Sequence, residues 1–355
     1  MVVNIDSGRY RSNRNVIERR PIKLAMPGQH SVPTNECLTI GILNNMAGAA
    51  FKATERQFVT LLDSASGGIP VHMSFYMLPG LTRTESGGLH FASHYSGIDR
   101  LLDTKLDGLI VTGREPRMTS LRDEPYWESF TQALEWARSN TVSTIWSCLA
   151  AHAAVLHMDG ICRRKSHEKN FGVFKCSQAS EHALTRDLPA EFHVPHSRWN
   201  GVGENDLAAG GYTVLSRSAS REVDAFVKQE NSLFVFFQGH LEYETDTLMR
   251  EYRRDAGRYI RGEVDTYPLL PQSYFDPSTE AALATLRENA VTCKSSDLQH
   301  RVATVLQEAK IENSWRPSAV SIYKNWLQCI HARKLAIADK SRALETYSQR
   351  ASHGS

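Results

Sequence analysis

From Cys37 to Gly160 the chain keeps one rhythm: short apolar runs rich in β-branched and aromatic residues alternate with longer stretches whose apolar residues recur at helical spacing. "CLTIGILN", "VHMSFYML", "LDGLIVTG" and "TVSTIWSC" read as strands. "KATERQFVTLLDSA", "YSGIDRLLDT", "EPYWESFTQALEWARSN" and "LAAHAAVLHMDG" read as the helices that alternate with them, and Gly160 is the expected stop of the last. Such alternation implies an α/β fold with a mainly parallel sheet flanked by helices on both faces.

Beyond residue 170 the pattern shifts to shorter strands, "FGVFKC", "EFHVPHSRW", "GYTVLSRS", "DAFVKQ" and the strongly apolar "SLFVFFQGH". The helical stretch "YETDTLMREYRRDAGRYIRG" follows, returning the chain to the central sheet. Residues 264–285 are rich in Pro and aromatics, and two helical patterns come after them, "TEAALATLRENAV" and "AVSIYKNWLQCIHARK". The expected division is a basic arm over 1–36 with a short ordered piece at "IKLAM", a main domain over 37–263, a helical extension packing on it over 264–335, and a polar tail over 336–355.

Composition removes several classes of function. With 41 Lys and Arg against 39 Asp and Glu the net charge is +2, which offers no general attraction for nucleic acid or an anionic membrane. No apolar run is long enough to span a bilayer and the first twenty residues lack an apolar core, so a cytoplasmic protein is expected. The six cysteines, Cys37, Cys148, Cys162, Cys176, Cys293 and Cys329, form no CxxC pair and no regular spacing with His. Neither a disulfide scaffold nor a metal site is indicated.

In open parallel sheets the ligand site lies beyond the carboxyl ends of the strands, and Cys148 and His240 both fall at such places. A cysteine that ends a strand and opens a helix has its thiolate favoured by the helix N-terminus, where backbone N–H groups, Leu149 first, can meet a developing oxyanion. In "QGHLEYE" Glu242 stands two residues after His240. In extended backbone the two share a face, so Glu242 could orient the imidazole while His240 draws a proton from the nucleophile. The residues alone leave open a buried core Cys148, a structural His240 and a solvent-facing Glu242.

The blocks "IGILNNM", "ATERQF", "LDGLIVTG", "PYW" with "ALEWARSNTVSTIWSC", "EKNFGVF", "VPHSRW" and "GHLEYETDTLMREYRRD" together resemble the homoserine O-succinyltransferase family, including its acetyl-transferring members. The likeness runs in order from about Cys37 to Gly262, with a weaker echo to about residue 330. It implies a class I glutamine amidotransferase-like, flavodoxin-like three-layer fold and makes 37–263 an acyltransferase catalytic domain. By that resemblance Cys148 is the nucleophile that takes the acyl group as a thioester, His240 the base and Glu242 its partner. Lys169 and Ser197 are substrate-site positions, and Arg254 pairs with the amino-acid carboxylate. Glu251, one turn earlier, is a companion for the substrate ammonium or for Arg254; apart from the resemblance both read as a solvated helix face. The implied chemistry is ping-pong transfer from acyl-CoA to the γ-hydroxyl of L-homoserine, with backbone donors near Leu149 and the "ILNNM" loop holding the oxyanion. No cofactor is permanently bound, acyl-CoA is a co-substrate, and a homodimer serving methionine biosynthesis is implied.

The chain also departs from the family pattern. Leu149 stands where a Trp is usual, and His152, one helical turn after Cys148, reads as a packing or cleft-wall histidine rather than a second base. Arg117 occupies the position that helps choose the acyl group. A guanidinium there attracts the free carboxylate of a succinyl group, which favours succinyl over acetyl, although it could equally fill the space. Alternatives are the same chemistry with acetyl-CoA or with another hydroxy amino acid such as serine, and, more distantly, a non-catalytic regulatory homologue. Glutamine amidotransfer expects a glycine-flanked nucleophile, which "WSCLAAH" lacks.

Overall fold

The computed structural model describes residues 23–24, 37–46, 48–79, 94–292 and 296–352, so the arm expected over 1–36 lies outside the described residues except at Lys23 and Leu24. In chain order the strands are β1 (Lys23–Leu24), β2 (Leu38–Leu43), β3 (Val71–Tyr76), β4 (Tyr95–Ser96), β5 (Gly108–Val111), β6 (Ser143–Ser147), β7 (Arg164–Gln178), β8 (Glu191–Gly201), β9 (Thr213–Ser218), β10 (Val223–Gln229) and β11 (Leu233–Phe237). The helices are α1 (Ala49–Ala65), α2 (Ile98–Leu102), α3 (Trp127–Asn140), α4 (Leu149–Asp159), α5 (Glu204–Ala209), α6 (Thr247–Ile260), α7 (Pro277–Thr292), α8 (Ser296–Glu308) and α9 (Arg316–Ser352). None of them is long and apolar enough to cross a membrane.

The strands join in one sheet ordered β1-β3-β2-β5-β6-β11-β10-β9-β7-β8, with β4 beside β3. From β1 to β11 all pairings are parallel, as the alternation of strands and helices requires; β11, β10, β9, β7 and β8 continue antiparallel. Side chains alternate between faces with period two. Ile40, Ile42, Ile145, Val235 and Phe237 join one buried layer against Phe58 of α1 and Tyr323 and Trp326 of α9. Leu43, Trp146, Phe234 and Phe236 join the other, against Phe130 of α3 and Ala153 of α4. Trp146 sits edge-on to both Phe130 and Phe234 at 5.5 and 5.4 Å, a geometry that adds roughly 0.5–1.5 kcal/mol per pair beyond burial alone.

The C-terminal part holds three helices where two were expected. "SDLQHRVATVLQE" forms α8, whose Leu298, Val302 and Leu306 pack with Tyr252 of α6, Leu286 of α7 and Trp315 in a third apolar cluster. Helix α9 continues through the polar stretch after residue 336 to Ser352. Along its first half Trp326 Nε1 donates to Ser143 Oγ (2.9 Å), Asn325 Nδ2 to Leu184 O and Arg186 O, and Lys334 Nζ to Cys37 O (2.8 Å) and Asp107 Oδ2 (2.7 Å). The last helix therefore braces the first layer of the sheet.

Candidate active site

Cys148 joins β6 to α4 with φ 53° and ψ −114°, a left-handed conformation that a residue with a Cβ adopts only under constraint. The constraint is visible on both sides. Its N–H donates to Phe237 O at the end of β11 (2.7 Å), and its carbonyl accepts from Ala151 N (3.0 Å), starting the helix. A strand-to-helix elbow of this kind lifts a nucleophile clear of the sheet. Leu149 and Ala150 supply the first N–H groups of α4, which have no acceptor inside the helix. Gly113 lies against them: a Cβ at this position would come within 2.7 Å of Leu149 N.

The strand expected to end at His240 stops at Phe237, and a turn rather than extended backbone brings His240 and Glu242 together. Gln238 and Gly239 make the change of direction. Gln238 Nε2 donates to Val223 O (2.6 Å), its Oε1 accepts from Val202 N (3.1 Å), and a Cβ at Gly239 would collide with Val194 at 2.4 Å. His240 N then donates to Pro195 O (2.8 Å) and Tyr243 N to His240 O (3.2 Å), closing the turn. Within it His240 Nδ1 lies 2.8 Å from Glu242 Oε1, and Cys148 is the second side-chain partner of the imidazole. Burial disfavours the imidazolium, but the negative charges of Cys148 and Glu242 outweigh it and hold the His240 pKa well above its ordinary value.

Ser197 and Glu251 come together beside this triad. Glu251 on α6 accepts hydrogen bonds from Ser197 Oγ (2.6 Å) and Tyr243 Oη (2.7 Å). Tyr243 in turn stacks on His240, ring centroids 4.3 Å apart, so it links Glu251 to the imidazole. Sequence reading missed Tyr243, although it stands three residues after His240 in the same motif. Arg254, one turn beyond Glu251, is half exposed and pairs with Asp255 (2.8 Å) rather than with Glu251. Lys169 lies 4.2 Å from the Phe171 ring centroid, and Phe171 is the register partner of Ser197.

Arg117 is exposed at the rim. Its backbone N–H, with that of Met118, is held by Glu124 Oε1 (2.6 and 2.8 Å), so the carboxylate fixes the loop. Asn45 of the "ILNNM" loop is buried and locked to Thr112 through both its N–H and its amide.

Two further buried histidines serve the scaffold. His152 Nε2 meets Gln238 Oε1 at 2.8 Å; because Gln238 also accepts from Val202 there, the histidine is the donor. Burial lowers its pKa to about 4, so it is neutral and packs under the elbow, as the sequence suggested. His196, Cys176 and Asp224 bring possible ligand atoms within 4.8 Å of one another. Arg198 Nε donates to His196 Nδ1, which puts the proton on Nε2, 3.3 Å from Asp224 Oδ1. A protonated nitrogen is no ligand, and the group reads as a buried hydrogen-bonding cluster behind the His240 turn.

A family model described as HTS, homoserine O-succinyltransferase, matches residues 9–335. A homoserine O-succinyltransferase of Rhodopseudomonas palustris is 44% identical over 290 residues, 82% of this chain and 87% of that protein. One of Bradyrhizobium japonicum is 47% identical over 254 residues, 71% of this chain and 78% of that protein. Among solved structures, a glutamine amido transferase from Methylobacillus Flagellatus aligns with a TM-score of 0.43 at 15% identity, over 83% of this chain and 95% of that one.

Proposed function

The chain belongs to the homoserine O-succinyltransferase family of acyltransferases, and from that premise we propose that it moves an acyl group, succinyl in preference to acetyl, from acyl-CoA to the γ-hydroxyl of L-homoserine through a thioester on Cys148, a step of methionine biosynthesis. The observation that carries this is the strained Cys148 elbow facing a His240 already oriented by Glu242.

In the first half-reaction the Cys148 thiolate attacks the thioester carbonyl. The new S–C bond forms, the oxyanion takes the Leu149 N–H, and the C–S bond to coenzyme A breaks with His240 giving its proton to the leaving thiolate. Having given up that proton, the imidazole is neutral when the acceptor arrives. His240 takes the proton from the homoserine hydroxyl, the ester bond forms, and the Cys148 thiolate leaves to restore the ion pair. Arg254 offers a fork for the substrate carboxylate, Glu251 a carboxylate for its ammonium, and Ser197 and Lys169 are the further substrate-site positions. Arg117 at the rim draws an anionic acyl chain inward.

The direct test is the intact mass of the protein after incubation with succinyl-CoA or acetyl-CoA, then with homoserine. A succinyl adduct that homoserine discharges is the expected result. An acetyl adduct alone would change the donor, an adduct indifferent to homoserine would change the acceptor, and no adduct from either donor would remove the covalent mechanism.

Gly113→Ala probes the oxyanion donor. The added methyl must push the start of α4 away, and kcat is expected to fall about 10²–10³-fold, the usual effect of losing one oxyanion donor. Steady-state kinetics showing less than a threefold loss would exclude Leu149 N–H from that role.

A further inference from the structure

A narrow pocket opens beside the elbow, lined among others by Asn45, Gly113, Arg114, Tyr126, Phe130 and Leu149. Arg114 is the charged residue among those lining it. It is 8% exposed, its guanidinium lies 5.3 Å from the Tyr126 ring centroid, and its Nε has no hydrogen-bond partner among the described residues. A buried guanidinium is not left this way without cost, and stacking on an aromatic face satisfies none of its N–H groups.

Arg163, just beyond α4, is half-buried. Burial lowers the pKa of both guanidinia, helped at Arg114 by the neighbouring Arg117. The charges of Tyr126 and Glu124 oppose that at both, and the charge of Cys148 does so at Arg163. The buried carboxylate of Glu124 has its Oε1 committed to the loop, and Arg114 keeps an unpaired donor beside the elbow that would carry the acyl group.

We propose that Arg114, with Arg163 beside it, binds a terminal carboxylate on the acyl chain held by Cys148, so that the pocket selects the thioester of a dicarboxylic acid over acetyl. The proposal rests on the acyl-transfer reading above and adds the residue that chooses the donor. A ligand carboxylate gives the buried Arg114 Nε the acceptor it lacks and meets the guanidinium fork with two parallel hydrogen bonds. Arg117, exposed and screened by solvent, contributes attraction at the rim and little selectivity.

The test compares acylation rates of wild type, Arg114→Met, Arg114→Lys and Arg117→Ala with succinyl-CoA and with acetyl-CoA, followed by intact mass. Arg114→Met should slow succinylation about 100-fold and acetylation less than about threefold; the lysine variant should recover part of the loss, and Arg117→Ala should lose less than about fivefold. Equal losses with both donors in Arg114→Met, a large succinyl loss confined to Arg117→Ala, or a wild type faster with acetyl-CoA would each overturn it. Should Arg114→Met fail to fold, judged by its melting and by iodoacetamide labelling of Cys148, the lysine variant and the wild-type donor ratio still decide. A wild type acylated by neither donor would instead remove the acyl-transfer reading on which the proposal rests.

Discussion

Replacing Cys148 by alanine is expected to lower kcat at least about 10⁴-fold while leaving the melting temperature within a few degrees of wild type. Nothing else at the elbow can take its place: the imidazole of His240 is committed to Glu242, and Ser147 is buried in the last position of β6. The stability half of the prediction comes from the backbone. A φ of 53° strains alanine as much as cysteine, whereas Cys148→Gly should relieve on the order of 1 kcal/mol of that strain, offset in part by the freedom glycine adds to the unfolded chain. The glycine variant should therefore be inactive yet no less stable than the alanine one. Kinetics and calorimetry on the two together separate a nucleophile from a packing residue; an alanine variant keeping more than about one per cent of wild-type kcat would sink the assignment.

His240→Ala is expected to cost on the order of 10³-fold, because both the proton held for the leaving thiolate and the base for the acceptor hydroxyl are lost. The residue also predicts a pH signature. Its folded pKa is raised, burial being outweighed by Cys148 and Glu242, so the protonated form is the one that folding favours. The stability attached to that proton is complete below the unfolded histidine value near about 6.5 and is lost as pH rises through the higher folded value. The melting advantage of wild type over His240→Gln should accordingly be largest near pH 6 and shrink on the alkaline side. An advantage that grows with pH would mean that His240 is neutral in the free enzyme.

Much of this site could be read in the sequence, and what could not has definable causes. The short apolar runs identified the parallel core because each strand must face two helical layers, and Gly160 ends α4 in the left-handed conformation expected of it. Cys148 was legible because a β-branched run changed to helical spacing at that residue. The pairing of His240 with Glu242 was anticipated for a different geometry: the strand stops at Phe237 because Gln238 and Gly239 bend the chain, and a turn does what extended backbone was expected to do. Contacts across long separations left no local trace. Ser197 and Glu251 are 54 residues apart and only the family likeness suggested both. Arg114 carried no signal in the sequence, since burial against Tyr126 follows from tertiary packing alone.

The contact between Lys334 and Cys37 spans 297 residues, and Trp326 reaches back 183 residues to Ser143 in the strand that ends at the nucleophile. Such long-range closures raise contact order and delay completion of the core. During synthesis the parallel strands emerge first with one face covered only in part, by α1, and the helix that completes the cover is made long after them. The catalytic elbow is thus assembled under an unfinished roof, and the chain reaches its working geometry only when its own C-terminal part arrives to close the layer behind β2 and β6.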